Sequence, residues 1–378
     1  MPRTKKQAEP APSKPPAKGE LRDRLNAMQV SANKFKAWKP AGEVLTAVRS
    51  HPTIFPLVDR AIDVGGWPLQ RVGLVHGPSG MGKTLFVHGL GLSFLTAANF
   101  YAFVDAEYTT PVEWLAMLMA GQVSNPGFIA QRPESYEETV NGVREFAEGI
   151  ANDRATGKLP PDITGLIVVD SIRKLVPKKL LDKILSGKGG MDGASGRGAM
   201  MKAALNAQWL DELVPTLYHA NLGMVFISRE YENSDTNTLK LQDPGGGFDY
   251  KVGGGKALIF ESSIVARVTR SWVKDGSAED AKVIGEKHHV TITKTKVAGK
   301  EDKTTVGHFH TSNGRLTPVG FDRARDVFNL AVDAGVLKQA GSWYSWPKLG
   351  MKWQGENKTV KALSDDRALL DTLEGEAR

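Results

Sequence analysis

Residues 71–84 read Arg71-Val-Gly-Leu-Val-His76-Gly77-Pro-Ser-Gly-Met-Gly82-Lys83-Thr84, a short apolar run, a glycine-rich turn, then a lysine and a hydroxyl where a second apolar stretch begins. The turn has the spacing G-x-x-x-x-G-K-[ST] in the context that motif requires: a predicted strand before it and a predicted helix over Lys83–Thr96 after it. Glycines let successive backbone N–H groups curl round phosphates, and the N-terminus of the helix adds partial positive charge. Lys83 reaches the outer phosphates as a point charge, and Thr84 offers a hydroxyl to Mg²⁺. The residues expected to hold a nucleoside triphosphate are Gly77, Pro78, Ser79, Gly80, Met81, Gly82, Lys83, Thr84 and Leu85.

Outward from this loop the chain alternates strand and helix. Phe100–Asp105 (FYAFVD), Leu166–Asp170 (LIVVD) and Met224–Ser228 (MVFIS) are near-continuous apolar runs of strand length. Such runs suit strands covered on both faces, so the fold class is α/β, a mostly parallel central sheet between helices. Asp170 ends one of these runs beside the phosphate loop, where a carboxylate completes the Mg²⁺ shell; read alone, it also fits an ordinary strand-end cap. Glu107 follows another in FVDAE, where a carboxylate can orient and deprotonate water. Spacing alone does not separate that role from a common strand-end glutamate.

The remaining composition sets limits. Net charge is +7, a bias toward polyanions such as nucleic acid or simply a solvated basic surface. There is no cysteine, which removes disulfide, thiolate and Cys-ligated metal chemistry and fits the cytoplasm. No apolar leader or membrane-length run is present, so no membrane role is expected. Residues 1–20 are rich in Pro, Lys and Ala and are expected to be a disordered basic tail. The pattern over 21–38 is that of an amphipathic helix. Two long Gly-rich polar stretches, 186–198 and 230–255, break the strand–helix rhythm and read as functional loops. From 314 to 378 a helical stretch (321–336) and an aromatic segment (WYSWPKLGMKW) suggest a small additional lobe.

Taken together, these segments resemble the RecA recombinase family from about Val48 to the C-terminus. VDRAIDVGGWPLQRVG (58–73) resembles the family's entry to its phosphate loop, FVDAE the segment whose glutamate activates water, and LIVVDS (166–171) the Mg²⁺-side strand. MVFIS resembles the sensor strand, GGKALIF (254–260) the end of the second DNA-binding loop, VTITKTKV (290–297) a lysine-bearing strand, and AGSWYS (340–345) part of the C-terminal lobe. The resemblance implies a protein that binds ATP with Mg²⁺, polymerises on single-stranded DNA, pairs it with double-stranded DNA and exchanges strands. It implies a helical filament of identical copies, with residues 21–52 docking on a neighbour and 53–313 forming the ATPase core. Glu107 becomes the catalytic base, and Lys294 and Lys296 reach the neighbouring copy's phosphates as an arginine finger would. At i and i+2 on a strand these two face the same way, although a K-x-K pair is also compatible with a solvated face. The implied DNA-contacting loops span about 178–199, with Lys188, Met191 and Arg197, and about 229–255, closing on Gly253, Gly254, Gly255 and Lys256.

This chain departs from the bacterial pattern in several places. Arg229 follows the sensor strand where that pattern has glutamine, and is expected to touch the γ-phosphate or to pair with Glu230. One residue fewer separates Glu107 from Pro111, leaving the adenine-stacking aromatic open; Trp114 is a candidate, as is a core-facing role for it. The alternatives are another RecA-fold machine, such as a ring helicase or clock-type ATPase, or an ATP-binding filament or mediator protein that exchanges no strands.

Overall fold

The computed structural model describes Asp23 and residues 47–186, 197–232, 250–253, 256–276, 280–298 and 305–378, the side chains at 197–200, 231–232 and 250–251 excepted. The expected basic tail, the helix predicted over 21–38 (Asp23 aside), and Lys188, Met191, Gly254 and Gly255 lie outside them.

Nine strands form the central sheet: β1 (Val72–His76), β2 (Phe100–Asp105), β3 (Phe128–Gln131), β4 (Gly165–Asp170), β5 (Leu222–Ile227), β6 (Ile264–Lys274), β7 (Val283–Thr295), β8 (Thr305–Ser312) and β9 (Gly320–Phe321). Their order across the sheet is β9-β8-β7-β6-β1-β5-β4-β2-β3. The segment from β6 to β3 is parallel throughout, while β6 to β9 run antiparallel. The mostly parallel α/β sheet expected from the apolar runs is the one present.

The helices are α1 (Pro56–Ile62), α2 (Lys83–Thr96), α3 (Val112–Leu118), α4 (Tyr136–Ala155), α5 (Lys178–Leu185), α6 (Arg197–Ala220), α7 (Lys256–Glu261), α8 (Arg323–Asp333), α9 (Glu356–Asp365) and α10 (Arg367–Ala377). Alternate residues of one strand feed two separate cores: Leu166 and Val168 pack with α1 and α2, Ile167 and Val169 with α4 and α6. That double covering is why the strands read as unbroken apolar runs. It also explains α2, which is apolar nearly all round because it packs both on the sheet and against Phe55.

Two expectations about the loops need correction. Residues 178–185 (KKLLDKIL) form α5 rather than loop, its leucines and isoleucine recurring at helical spacing, and Arg197 opens α6. The described ends of the second stretch pair as an antiparallel ribbon, Glu230–Glu232 with Tyr250–Val252. Beyond β9, α8, α9 and α10 pack on the three-stranded sheet Lys338–Ala340, Trp343–Trp346, Met351–Gln354 around Trp346, Val327 and Leu363, a cluster distinct from the two main cores. The helix predicted over 321–336 is shorter, Arg323–Asp333, because the Asp322 side chain caps its first turn. Residues Val48–Arg378 make one compact unit.

Candidate nucleotide site

β1, β5, β4 and β2 are neighbours in the sheet, and each delivers one chemical group at its C-terminal end, where open parallel sheets receive ligands. The loop Gly77–Gly82 leaves β1 and opens α2. Gly77 and Gly82 take φ of +150° and +92°, and a Cβ would sit 2.3 Å from the Val268 carbonyl oxygen or 2.5 Å from His288 Nδ1. The loop is therefore pressed against β6 and β7, and only glycine fits at both positions. His288 Nδ1 lies 3.1 Å from the Met81 carbonyl oxygen, and its ring stacks on Phe309. Gly82 caps α2 without a side-chain hydrogen bond, so the first-turn N–H groups face the loop's concavity.

Lys83 Nζ donates to the carbonyl oxygens of Gly77 (3.0 Å) and Pro78 (2.7 Å). Burial holds its pKa below the usual lysine value, opposed by the nearby Asp170 carboxylate. Thr84 Oγ1 donates to Asp170 Oδ2 at 2.6 Å. Burial pushes Asp170 up to about 6; the Thr84 hydrogen bond opposes this, and the Glu107 and Asp105 carboxylates add to it. Hydroxyl and carboxylate are hard oxygen donors, and one or two such side chains plus phosphate oxygens are how Mg²⁺ is usually held. The glycine cradle, the open helix terminus, the lysine and this oxygen pair fit ATP with Mg²⁺.

Glu107 sits two residues past β2. Its Oε1 accepts from Ser171 Oγ at 2.9 Å and its Oε2 from Arg229 Nη2 at 2.7 Å. The turn that carries it is fixed from below: Asp105 accepts from Arg132 Nε (3.1 Å) and from the N–H groups of Thr109 and Thr110. Arg229 thus pairs with Glu107 rather than with Glu230. Glu230 is engaged by His76 (2.9 Å) and by both ends of the Arg267 guanidinium (2.7 and 3.0 Å). Burial favours its neutral form, but those two partners outweigh burial and hold Glu230 below the usual carboxylate range. Trp114, partly buried, packs edge-on against His88 at 5.7 Å and lies against the core.

Lys294 lies near the end of β7 and Lys296 just beyond it, and both reach one place, the C-terminal end of α7. Lys294 Nζ donates to the carbonyl oxygens of Ile259 (2.5 Å) and Phe260 (2.8 Å), and Lys296 Nζ to that of Phe260 (2.5 Å). Burial and the Lys296 charge lower Lys294 to about 8. Of the residues assigned to DNA, Gly253 is tied to the segment that follows β5, its N–H donating to the Arg229 carbonyl (3.1 Å) and its own carbonyl accepting from Ser228 Oγ (2.7 Å). Lys256 is exposed at the start of α7. The sequence did not reveal Ser171 as a partner of Glu107 or His288 as a support of the loop; their partners lie 64 and 207 residues away.

Comparison with known proteins agrees with this geometry. A family model described as the RecA N-terminal domain matches residues 42–311. Proteins named RecA are similar over most of the chain. That of Corynebacterium glutamicum (strain R) is 28% identical over 321 residues, 84% of this chain and 73% of its own length. That of Clostridioides difficile (strain 630) is 29% identical over 331 residues, 85% and 80% of the two chains. That of Thermus thermophilus is 28% identical over 324 residues, 85% and 82%. With the family model spanning well over half of its residues, the chain belongs to the RecA family.

Proposed function

We propose that this protein is a DNA-dependent ATPase that polymerises on single-stranded DNA and catalyses homologous pairing and strand exchange. One observation carries the phosphate chemistry: Lys83, Thr84, Asp170 and Glu107 converge at the C-terminal ends of adjacent parallel strands, around a glycine loop that opens a helix. Membership of the family and the net charge of +7 support the DNA half of the reading.

In this reading the backbone of Gly77–Thr84 and Leu85 cradles the phosphates while Lys83 exchanges its loop carbonyls for phosphate oxygens. Thr84 and Asp170 hold Mg²⁺, which when bound offsets phosphate charge and orients the terminal phosphoryl group. Glu107 accepts a proton from the attacking water. Lys294 and Lys296, together at the C-terminal end of α7, serve the phosphates of a neighbouring copy, and Arg229 answers the terminal phosphate within its own subunit. Lys188 and Met191 in the first loop with Arg197 at the start of α6, and Gly253, Gly254, Gly255 and Lys256 at the close of the second, contact DNA. Lysine and arginine suit the phosphates, and Met191 suits a gap between bases.

A second reading, an ATP-binding filament or mediator protein that exchanges no strands, is favoured by the engagement of Glu107 by Arg229. ATP hydrolysis measured with and without single-stranded DNA, followed by strand exchange on the same preparation, separates the two. The proposal expects stimulation and exchange. Stimulation without exchange selects the mediator or a helicase-like machine, and hydrolysis indifferent to DNA contradicts the proposal.

A further inference from the structure

Four cations are assigned to the phosphates of the nucleotide, and each is satisfied here by an internal acceptor. Lys83, Lys294 and Lys296 rest on backbone carbonyls. Arg229 alone rests on a carboxylate, and that carboxylate is the base, Glu107. Releasing a carbonyl does nothing to the chemistry, whereas releasing Glu107 changes it. Both oxygens of that carboxylate are taken, Oε2 by the guanidinium at 2.7 Å and Oε1 by the Ser171 hydroxyl at 2.9 Å.

Arg229 is also well placed to pass on what its side chain does. The next residue, Glu230, is anchored under the phosphate loop by His76 and Arg267, and its N–H lies 3.3 Å from the Gly77 carbonyl oxygen. The Arg229 carbonyl accepts the Gly253 N–H, where the ribbon Glu230–Glu232/Tyr250–Val252 closes the second loop. With Glu230 fixed, rearrangement at Arg229 is felt either at Glu107 or at Gly253.

We propose that Arg229 is a positioning residue that latches Glu107 in the nucleotide-free subunit and exchanges it for the terminal phosphate of a nucleoside triphosphate, freeing the base. A phosphate group is the stronger partner for a guanidinium because it offers more charge and a matching bidentate edge. A diphosphate, lacking the terminal group, leaves the latch closed. The proposal rests on the nucleotide-site reading and adds to it a competition between Glu107 and phosphate for one guanidinium.

That competition is measurable without turnover. The affinities of a non-hydrolysable ATP analogue and of ADP are compared by calorimetry, without DNA, in the unsubstituted protein, Glu107→Gln, Arg229→Gln and the double variant. Removing the competitor in Glu107→Gln should raise the analogue-to-ADP preference about three- to fivefold, the scale of a half-exposed ion pair. In the Arg229→Gln background the same change should leave the preference where it was. Arg229→Lys, which keeps the charge but loses the bidentate fork, should fall between. Thermal unfolding of the four nucleotide-free proteins should show the two substitutions to be non-additive, and shows independently that each variant is folded. A preference unmoved by Glu107→Gln, or moved equally in both backgrounds, overturns the latch while leaving the nucleotide site intact. Failure of the unsubstituted protein to bind the analogue removes the site reading, and the latch with it.

Discussion

Asp170 is held in tension by the fold. Its folded pKa of about 6 lies above the 3.8 of an exposed aspartate, so the fold favours the protonated form. The stability this gives is fully present below about pH 4 and is lost as pH rises through about 6. Asp170→Asn should therefore stabilise the nucleotide-free protein at pH 8, by roughly 2–3 kcal/mol at most, as read by chemical denaturation. The same variant should lose Mg²⁺-dependent nucleotide binding. In the unsubstituted protein, Mg²⁺–ATP affinity should weaken as pH drops below about 6, because the ion needs the carboxylate; a flat profile from pH 5 to 8 would argue against Asp170 as a ligand. Lys83→Ala should abolish hydrolysis, whereas Glu107→Gln should bind ATP and stall; unchanged turnover in the latter points to another base. The carboxylates themselves were legible in the sequence because each ends an apolar run. The partners of Glu107 and Glu230 were not, since Arg229 and Ser171, or His76 and Arg267, come together only when the strands are ordered in the sheet.

At the scale of elements, strands were the easier part to read. The apolar runs 100–105 and 166–170 coincide with β2 and β4 almost residue for residue, because both faces of each strand are buried. The first loop was harder: glycines at 187–198 obscured α5 on one side and the start of α6 on the other. The lysine pair illustrates a different limit. Lys296 falls outside β7, yet its N–H still bonds the Ser263 carbonyl (2.7 Å), and so it keeps the same side as Lys294. The junction between the phosphate loop and β7 gives a test at this scale. Gly82→Ala demands a left-handed backbone and pushes a methyl group into the His288 ring, which should cost about 1–3 kcal/mol and weaken nucleotide binding in parallel. Chemical denaturation and calorimetry check both; full stability with full affinity would mean that the loop is not braced from behind.

For the whole molecule, sheet order was the least legible feature. β1 lies between β6 and β5, strands nearly two hundred and about one hundred and fifty residues further along, and nothing in local periodicity encodes that. The order matters because it gathers the phosphate loop, Arg229, Asp170 and Glu107 along one edge and leaves Lys294 and Lys296 at the end of an antiparallel extension. If the basic balance of the chain serves DNA, affinity for a single-stranded oligonucleotide should fall by about a hundredfold or more between ~50 and ~200 mM salt. A shallow dependence in a filter-binding or anisotropy titration would favour a role without DNA.

If ATP is shared between two copies, one supplying the cradle and the other the lysines, the two halves of the site can be supplied by different variants. Lys83→Ala and the double variant Lys294→Ala/Lys296→Ala are prepared separately, mixed in equal amounts with single-stranded DNA, and assayed for ATP hydrolysis. Each alone should be inactive, and the mixture should regain activity wherever an intact cradle meets intact lysines. A mixture as inactive as its parents, or a lysine variant as active as the unsubstituted protein, would contradict the shared site.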